Sequence, residues 1–586
     1  AAVYAPIGFV GGLTGALFQE FAFTLAAAVV ISGVVALTLS PMMCSKLLKA
    51  GHQGRFADLV DRIFSRLRNG YERRLDRVLY YRPLVLIVAG TVLASCFFLY
   101  QETRKELAPK EDQGVIFMQV KAPQYANLDY LESFMNELNK VFTGFPEYAN
   151  SFAINGAGAV NTGFGGMLLK PWGERNRSQA QVYQELQGKV AAIPGLEIFA
   201  IELPSLPGSS GPPVQFVIKT TADYRTLERV LQQLQGELYK SGLFFFAFSD
   251  LKFDNPQIEV KIDHAKANEL GITMQSIGQS LATMFGGNFT NFFNLYGRSY
   301  QVIPQTPRDF RLTPEMINRV YVRTSKGTLV PLSTVATISQ SVQPNALTTF
   351  QQLNSATIQA VPYPGRSIGE ALDFLKKKSA ELFPEGFTYD FQGESRQYEQ
   401  EGATLALAFG FAIIVIFLVL AAQFESFRDP LIILTTVPLS ICGALIPMNI
   451  GLATVNIYTQ VGLVTLIGLI SKHGILMVEF ANELQQREGL DRRSAIVKAA
   501  AIRLRPILMT TAAMVVGMVP LLMASGAGAK SRFDIGLVIA AGMTIGTMFT
   551  LFVLPVIYTF LARKRRKDEG EEPAALPAPP APQPAE

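Results

Sequence analysis

The chain has few of the residues from which catalytic and metal centres are built. Three His, three Cys and one Trp occur among 586 residues. Cys44, Cys96 and Cys442 lie far apart and form no Cys-x-x-Cys pair, so neither a disulfide framework nor a zinc site is indicated. No Walker A loop, His-Glu-x-x-His, Gly-x-Ser-x-Gly or dinucleotide fingerprint stands in a suitable context. The Gly-rich stretch Ala153–Gly166 and the QGESRQ of Gln392–Gln397 lack the Lys-Ser/Thr helix start of a phosphate cradle. The first of these is read as a turn between strands. Charge is scarce as well: 17 % of residues are charged, against about a quarter in soluble domains. An enzyme is not expected, nor a metal or any other cofactor. The modest net charge of +5 gives no reason to expect a nucleic-acid partner.

What the chain does have is apolar length. Hydrophobic residues make up 49 % and the mean hydropathy is +0.24. A membrane span needs roughly 20 apolar residues. Phe21–Leu39, Pro83–Tyr100, Thr404–Ala422, Pro430–Ile450, Ile457–Ala481, Ile507–Met523 and Ile535–Leu561 qualify, with Ala1–Val10 as a cut-off eighth. The opening AAVYAPIGFV has neither Met nor a charged leader, and we expect a fragment that starts inside a helix. Basic residues concentrate in Lys46–Arg82, Arg487–Arg505 and Ala562–Lys567, which places these on the cytoplasmic side. The Gly-rich connections Gly11–Gly15 and Ala524–Asp534 then fall outside, together with the long region between Tyr100 and Thr404. Pro41–Arg82 is expected to include an amphipathic helix on the inner surface. The outer region alternates strand and helix patterns, with strands at Val115–Val120, Ser151–Ile154, Glu197–Glu202, Val214–Ile218, Ile258–Ile262, Ala356–Val361 and Phe387–Phe391. The helices between them are Leu128–Phe142, Leu227–Tyr239 and Ile368–Leu382. This rhythm predicts α+β subdomains of split βαβ topology.

An internal echo points to duplication. Glu20, just after Phe18 and Gln19, and Asp534, next to Phe533, precede Pro41 and Pro555 by equal intervals, across small-residue-rich helices. Tandem halves are common in transporters.

One residue is out of place in this pattern. Lys472 stands at the middle of an apolar helix, and a mid-membrane charge costs several kcal/mol unless it has a partner. Thr465, Lys472 and Glu479 are seven apart and share a stripe, as do Arg503, Thr510 and Gly517 on the next span. His473 is read as an ordinary packed polar residue and Glu479 as solvated. No Asp or Glu is expected in the core of another span, so a counter-charge for Lys472 would come from elsewhere. Gly517, Gly542 and Gly546 would allow close helix contact.

The motifs LAAQFESFRDPLIILTTVPLSICGAL (Leu420–Leu445), QVGLVTLIGLISKHGILMVEFA (Gln460–Ala481) and RLRPILMTTAAMVVGMVPL (Arg503–Leu521), with ELAPKEDQGV (Glu106–Val115) and VKIDHAKANELGI (Val260–Ile272), resemble the C-terminal half of a resistance-nodulation-division (RND) exporter of the hydrophobe/amphiphile efflux type. The resemblance covers nearly the whole chain except its Pro-rich tail. It implies a polytopic α-helical membrane protein with a large α+β periplasmic region of ferredoxin-like subdomains. Residues 1–40 would hold the end of a fifth span and the sixth, 41–82 a cytoplasmic amphipathic connection and 83–101 the seventh span. A first porter subdomain would occupy 102–213 and a second 214–257 with 344–400, around a docking subdomain at 258–343. The eighth to twelfth spans would fill 403–562, and 563–586 would be a basic, then Pro-rich, cytoplasmic tail.

The resemblance further implies a bacterial inner-membrane multidrug:proton antiporter. It would act as a homotrimer in contact with membrane lipid, a periplasmic adaptor protein, an outer-membrane channel and amphiphilic small-molecule substrates. Lys472 matches the family's relay lysine, and Arg503 and Thr510 its relay partners. Phe117, Gln119, Phe152, Ile154, Phe199 and Ile201 match pocket-lining positions. Ala157 and Ala159 stand in a loop that carries phenylalanines in some members. The alternatives are an RND metal or lipid exporter, or a non-transporting membrane assembly protein that uses Lys472 structurally. Met118, Met135, Met167, Met274, Met284 and Met316 are scattered rather than clustered as a metal exporter would want.

Overall fold

Apolar runs of span length can satisfy their backbone in a bilayer only as helices or closed barrels, and here they are helices. The computed structural model describes Gly8 and residues 11–47, 55–344 and 346–564. Most of the expected Ala1–Val10 span, and the tail beyond residue 564, lie outside the described residues. The first helices are α1 (Gly12–Leu47), α2 (Arg55–Tyr80) and α3 (Arg82–Glu102). The predicted outer loop Gly11–Gly15 is therefore almost entirely the first turn of α1. Helix α2 is amphipathic, as expected: Tyr71, Leu75 and Leu79 are buried while arginines cover its other face.

Two α+β units follow, built to one plan. The first runs β1 (Val115–Lys121), α4 (Leu128–Thr143), β2 (Tyr148–Asn155), β3 (Thr162–Leu169), α5 (Gln179–Val190) and β4 (Glu197–Glu202), with sheet order β2-β3-β1-β4 and antiparallel pairing throughout. Ile116, Met118 and Val120 alternate inward from β1 onto α4 and α5, where Leu131, Leu138, Val182 and Leu186 complete the core. The second unit runs β5 (Val214–Thr220), α6 (Tyr224–Ser241) and β6 (Phe244–Ser249). An insertion then interrupts it: β7 (Asn255–Ile262), α7 (His264–Glu269), α8 (Met274–Met284), the hairpin β8 (Asn291–Leu295) and β9 (Arg298–Val302), β10 (Tyr321–Arg323), β11 (Leu329–Pro331) and β12 (Ala336–Gln343). It resumes with β13 (Thr348–Phe350), β14 (Leu353–Pro362), α9 (Ile368–Leu382) and β15 (Phe387–Phe391), giving a sheet in which β15, β5, β14 and β6 repeat the order of the first. Strands β3 and β6 and helix α5 are additional to the sequence-based expectation.

The remaining helices are α10 (Gly393–Phe424), α11 (Arg428–Leu434), α12 (Thr436–Asn449), α13 (Ile457–Glu488), α14 (Arg492–Leu522) and α15 (Ala529–Leu561). Among the described residues six helical stretches are long and apolar enough to cross a membrane, with a shorter one at Phe409–Phe424. The expected span Pro430–Ile450 is two helices that meet at Thr435. Pro438 has no N–H to donate back to Leu434, so the ladder breaks there. Helix α15 lies at the centre and packs on α12, α13 and α14. Gly542 and Gly546 allow this: a Cβ on Gly542 would lie 2.3 Å from Leu466, and one on Gly546 2.1 Å from Ser440. Gly517, by contrast, faces open space. At the end of the bundle holding the basic connections, Asn482 donates to Asp429 at 3.2 Å, and Tyr558 links Asn482 and Gln485 at 2.7 and 2.6 Å.

Candidate functional site: a mid-span cation, a polar joint and an aromatic sheet face

Helix α13 starts with a reciprocal cap: Asn456 accepts from the Thr459 N–H, and the Thr459 hydroxyl accepts from the Asn456 N–H. Half-way along, Lys472 is exposed on the surface of the described bundle, and no hydrogen bond or ion pair holds it among the described residues. Its neighbour His473 is fully buried. The imidazole lies 3.4 Å from Thr510 Oγ1 on α14 through Nε2 and 3.4 Å from Thr547 Oγ1 on α15 through Nδ1. Thr547 in turn meets Thr511 at 3.1 Å. The structure thus places Thr510 beside His473, and the histidine read as merely packed is the polar node of three helices. Arg503 is partly buried with its guanidinium 4.5 Å from the Phe480 ring centre, a cation–π contact. Glu479 is exposed and Thr465 is buried.

Where α3 gives way to the first sheet, the chain is stapled onto the spans. Val455 donates to Arg104 O at 2.8 Å, Glu106 to Val455 O at 3.1 Å and Ile457 to Leu107 O at 3.1 Å. Thr454 donates to the Glu106 carboxylate. Glu111 accepts the Lys530 and Ser531 N–H groups at 3.2 and 2.7 Å, so it caps the N-terminus of α15. Asp534, fully buried one turn further in, joins Lys530 at 3.0 Å and Asn456 at 2.9 Å. This corrects one expectation: the helix begins at Ala529, so residues 529–534 are not loop, and Asp534 is a buried acidic side chain close to the helix end rather than in the core of the span.

Burial raises the Glu106 carboxyl above the usual carboxylate range. It also pushes Glu394, near Lys110, up to about 7. For Lys110 burial acts downward, but Glu202 at 3.0 Å more than offsets it and the ammonium ends above its ordinary value. The second unit continues into the spans through Gln397–Ala403, which lies inside the continuous helix α10.

The pocket-lining positions named from the sequence share one face of the first sheet. One cross-strand row reads Phe152, Gly166, Phe117, Ile201; the next reads Ile154, Phe164, Gln119, Phe199. The rings of Phe117, Phe152 and Phe164 lie 5.2–5.9 Å apart. Gly166 makes this possible, since a Cβ there would stand 2.9 Å from Phe117 and 3.0 Å from Phe152. Phe199 packs on Phe246 and Phe248 of β6 in the second unit, with centroids at 4.2 and 4.9 Å. Ala157 and Ala159 are exposed in the β2–β3 turn, closed by the Thr162 hydroxyl donating to Ala157 O at 2.6 Å, and so stand at the rim. The turn is short, and much of Ala153–Gly166 is strand. Phe164, Phe246 and Phe248 were not singled out from the sequence; the alternation in FFFAFS (Phe244–Ser249) carried the signal for β6.

An apolar cavity of about 530 Å3 opens between the helices beside the joint. Phe18, Tyr100, Tyr398, Phe409, Ile441 and Val464 line it, with Glu106 and Glu401 also in its wall.

The AcrB/AcrD/AcrF family model matches residues 1–562. Similar proteins include an uncharacterized transporter of Haemophilus influenzae, 45 % identical over 96 % of this chain, and the multidrug export protein AcrF of Escherichia coli, 30 % identical over 96 %. The multidrug/solvent efflux pump membrane transporter MepB of Pseudomonas putida is 30 % identical over 98 %. The chain spans 56 % of the length of each of these relatives. With span-length helices beside two sheet-built units, the chain belongs to the AcrB/AcrD/AcrF family of RND transporters.

Proposed function

We propose that this chain forms the C-terminal half of a proton-driven exporter of amphiphilic small molecules in the bacterial inner membrane, with the α+β units in the periplasm. The observation that carries this reading is Lys472: a cation half-way along a span, exposed on one face, beside a buried His–Thr node that joins three helices. A charge so placed has a large free-energy incentive to find carboxylates on helices packed against that face. We infer that such carboxylates come from the portion of the relatives' length that this chain does not span. Ionised, they attract the ammonium; protonated from outside, they release it, and α13 shifts. One proton crossing supplies about 2.3 kcal/mol per 100 mV of membrane potential.

The joint passes that movement outward. Glu111 and Glu106 tie the segment after α3 to the starts of α15 and α13, so displacement of either helix moves the first sheet. Aromatic faces on β1–β4 and β6, and the apolar cavity beside α10, suit amphiphilic rather than strongly charged cargo. A homotrimer with an adaptor and an outer-membrane channel completes the reading, in line with relatives named as efflux pumps.

The test is dye efflux from vesicles that hold the complete protein. A pH gradient alone should drive export, and an ionophore that collapses it should stop export. Efflux indifferent to the gradient would overturn the proton-driven reading.

A further inference from the structure

Helix α2 serves neither the cation, the joint nor the aromatic face. Only Tyr81 separates it from α3, so it lies at the end of a span-length helix. Two ion pairs bind it lengthwise along the first half of α14: Asp76 meets Arg493 at 2.7 Å and Asp61 meets Arg505 at 2.6 Å. The Tyr71 hydroxyl donates to Leu551 O of α15 at 2.6 Å. These contacts, with buried Leu75 and Leu79, use one side of the helix. Two stripes remain outside. Leu59, Ile63 and Leu67, spaced by four, are 50, 55 and 46 % exposed. About a quarter-turn further round, Arg62, Arg66, Asn69 and Arg73 follow the same slope and are exposed. Arg62, Ser65, Arg66 and Asn69 line a shallow recess there, and its acidic member, Asp61, is already matched by Arg505. Arg66, Arg73, Arg74 and Arg77 make no ion pair or hydrogen bond among the described residues.

We propose that the outer side of α2 binds anionic phospholipid of the inner leaflet, with phosphodiester groups on Arg66 and Arg73 and acyl chains against Leu59, Ile63 and Leu67. It rests on the orientation proposed above, with the basic connections facing the cytoplasm, and not on proton coupling. Single exposed leucines are ordinary. Three in register beside a row of arginines, on a helix held at the end of a span, suit the plane of a bilayer interface. The apolar side chains dip below the headgroups while the guanidinium groups stay at phosphate level. Each guanidinium fork can take two phosphate oxygens at once. Asp61 and Asp76 are occupied by arginines of α14, which leaves Glu72 as the acidic side chain among the outer arginines. A zwitterionic headgroup leaves that positive excess uncompensated, whereas an anionic one cancels it. Through the pairs with Arg493 and Arg505, lipid held on α2 sets the level of the first half of α14, the helix that carries Thr510.

The experiment reconstitutes the complete protein in phosphatidylcholine vesicles with a trace of photoreactive lipid. The probe is phosphatidylglycerol or phosphatidylcholine, each with the same diazirine high on one acyl chain. After illumination the labelled peptides are mapped. The phosphatidylglycerol probe should label Leu59–Arg73 about 10-fold more than the phosphatidylcholine probe does. Unlabelled phosphatidylglycerol should compete that label away, and inorganic phosphate should not. In the double variant Arg66→Gln, Arg73→Gln, labelling of this stretch should fall roughly 10-fold. Labelling of α3 should persist, which shows that the variant is folded and inserted. Equal labelling by the two probes, competition by inorganic phosphate, wild-type labelling of the variant or no label on α2 at all overturns the proposal. No gradient is applied, so a failure of the proton-driven reading leaves this result untouched.

Discussion

Glu111 accepts the Ser531 N–H at 2.7 Å, so a residue that precedes the first sheet closes the N-terminus of the last span helix, 420 positions away in sequence. A carboxylate at a helix start satisfies otherwise unpaired donors and meets the positive end of the helix dipole. Glu111→Ala leaves the Lys530 and Ser531 N–H groups buried without that acceptor. It should cost about 1–3 kcal/mol, read as a lower thermal unfolding midpoint in detergent. Glu111→Gln, which keeps an acceptor, should recover part of the loss. If Glu111→Ala unfolds like wild type, the joint is not a structural tie.

Glu394 provides a pH signature. Its carboxyl is raised from 4.5 to about 7 by burial. Below about pH 4.5 the folded and unfolded states are both protonated and the group is neutral to stability. As pH rises toward 7 the unfolded chain releases its proton first, so stability falls through that window and levels off above it. The loss is at most about 3 kcal/mol. Glu394→Gln should remove it: the variant should unfold at a higher temperature than wild type at pH 8 and at the same temperature at pH 4. A constant difference across that range would contradict the assignment.

Close contact at α15 separates two glycines that look alike in sequence. Gly546→Val places a Cβ about 2 Å from Ser440 Oγ and should force α12 from α15, at a cost of about 1–3 kcal/mol or more. Gly517→Ala meets nothing within 4 Å and removes a helix-weakening glycine, so it should be neutral or stabilising by up to about 1 kcal/mol. Unfolding midpoints of the two variants, measured side by side, check this contrast.

The aromatic face makes its own demand on Gly166. Gly166→Ala puts a methyl within 3.0 Å of the Phe117 and Phe152 rings and should splay the trio. In the complete exporter we expect efflux of bulky aromatic dyes to change while proton coupling persists. Equal efflux of every dye would show that this face does not contact cargo.

Much of the architecture was legible because hydropathy has a length scale and a period. The spans announced themselves by run length, and Glu197–Glu202 and Ile368–Leu382 were bounded to the residue by alternation and by turn residues. What escaped the sequence depends on contacts distant along the chain. Strand β3 reads as a loop because its glycines signal flexibility locally, whereas Gly166 is required by two rings brought over it from neighbouring strands. Asp534 was placed outside its helix because Gly-rich sequence hid a start that Glu111 caps from elsewhere. His473 looked ordinary until α14 and α15 supplied Thr510 and Thr547. Lys472 was conspicuous because a charge in an apolar run needs no partner to be noticed.

Gradient-driven dye efflux by the complete protein carrying Lys472→Met, scored against protein amount in the membrane, tests the role of that ammonium most directly. The expected result is wild-type abundance with transport reduced to background. Wild-type efflux from the methionine variant would contradict it, because an uncharged side chain cannot follow the protonation of carboxylates.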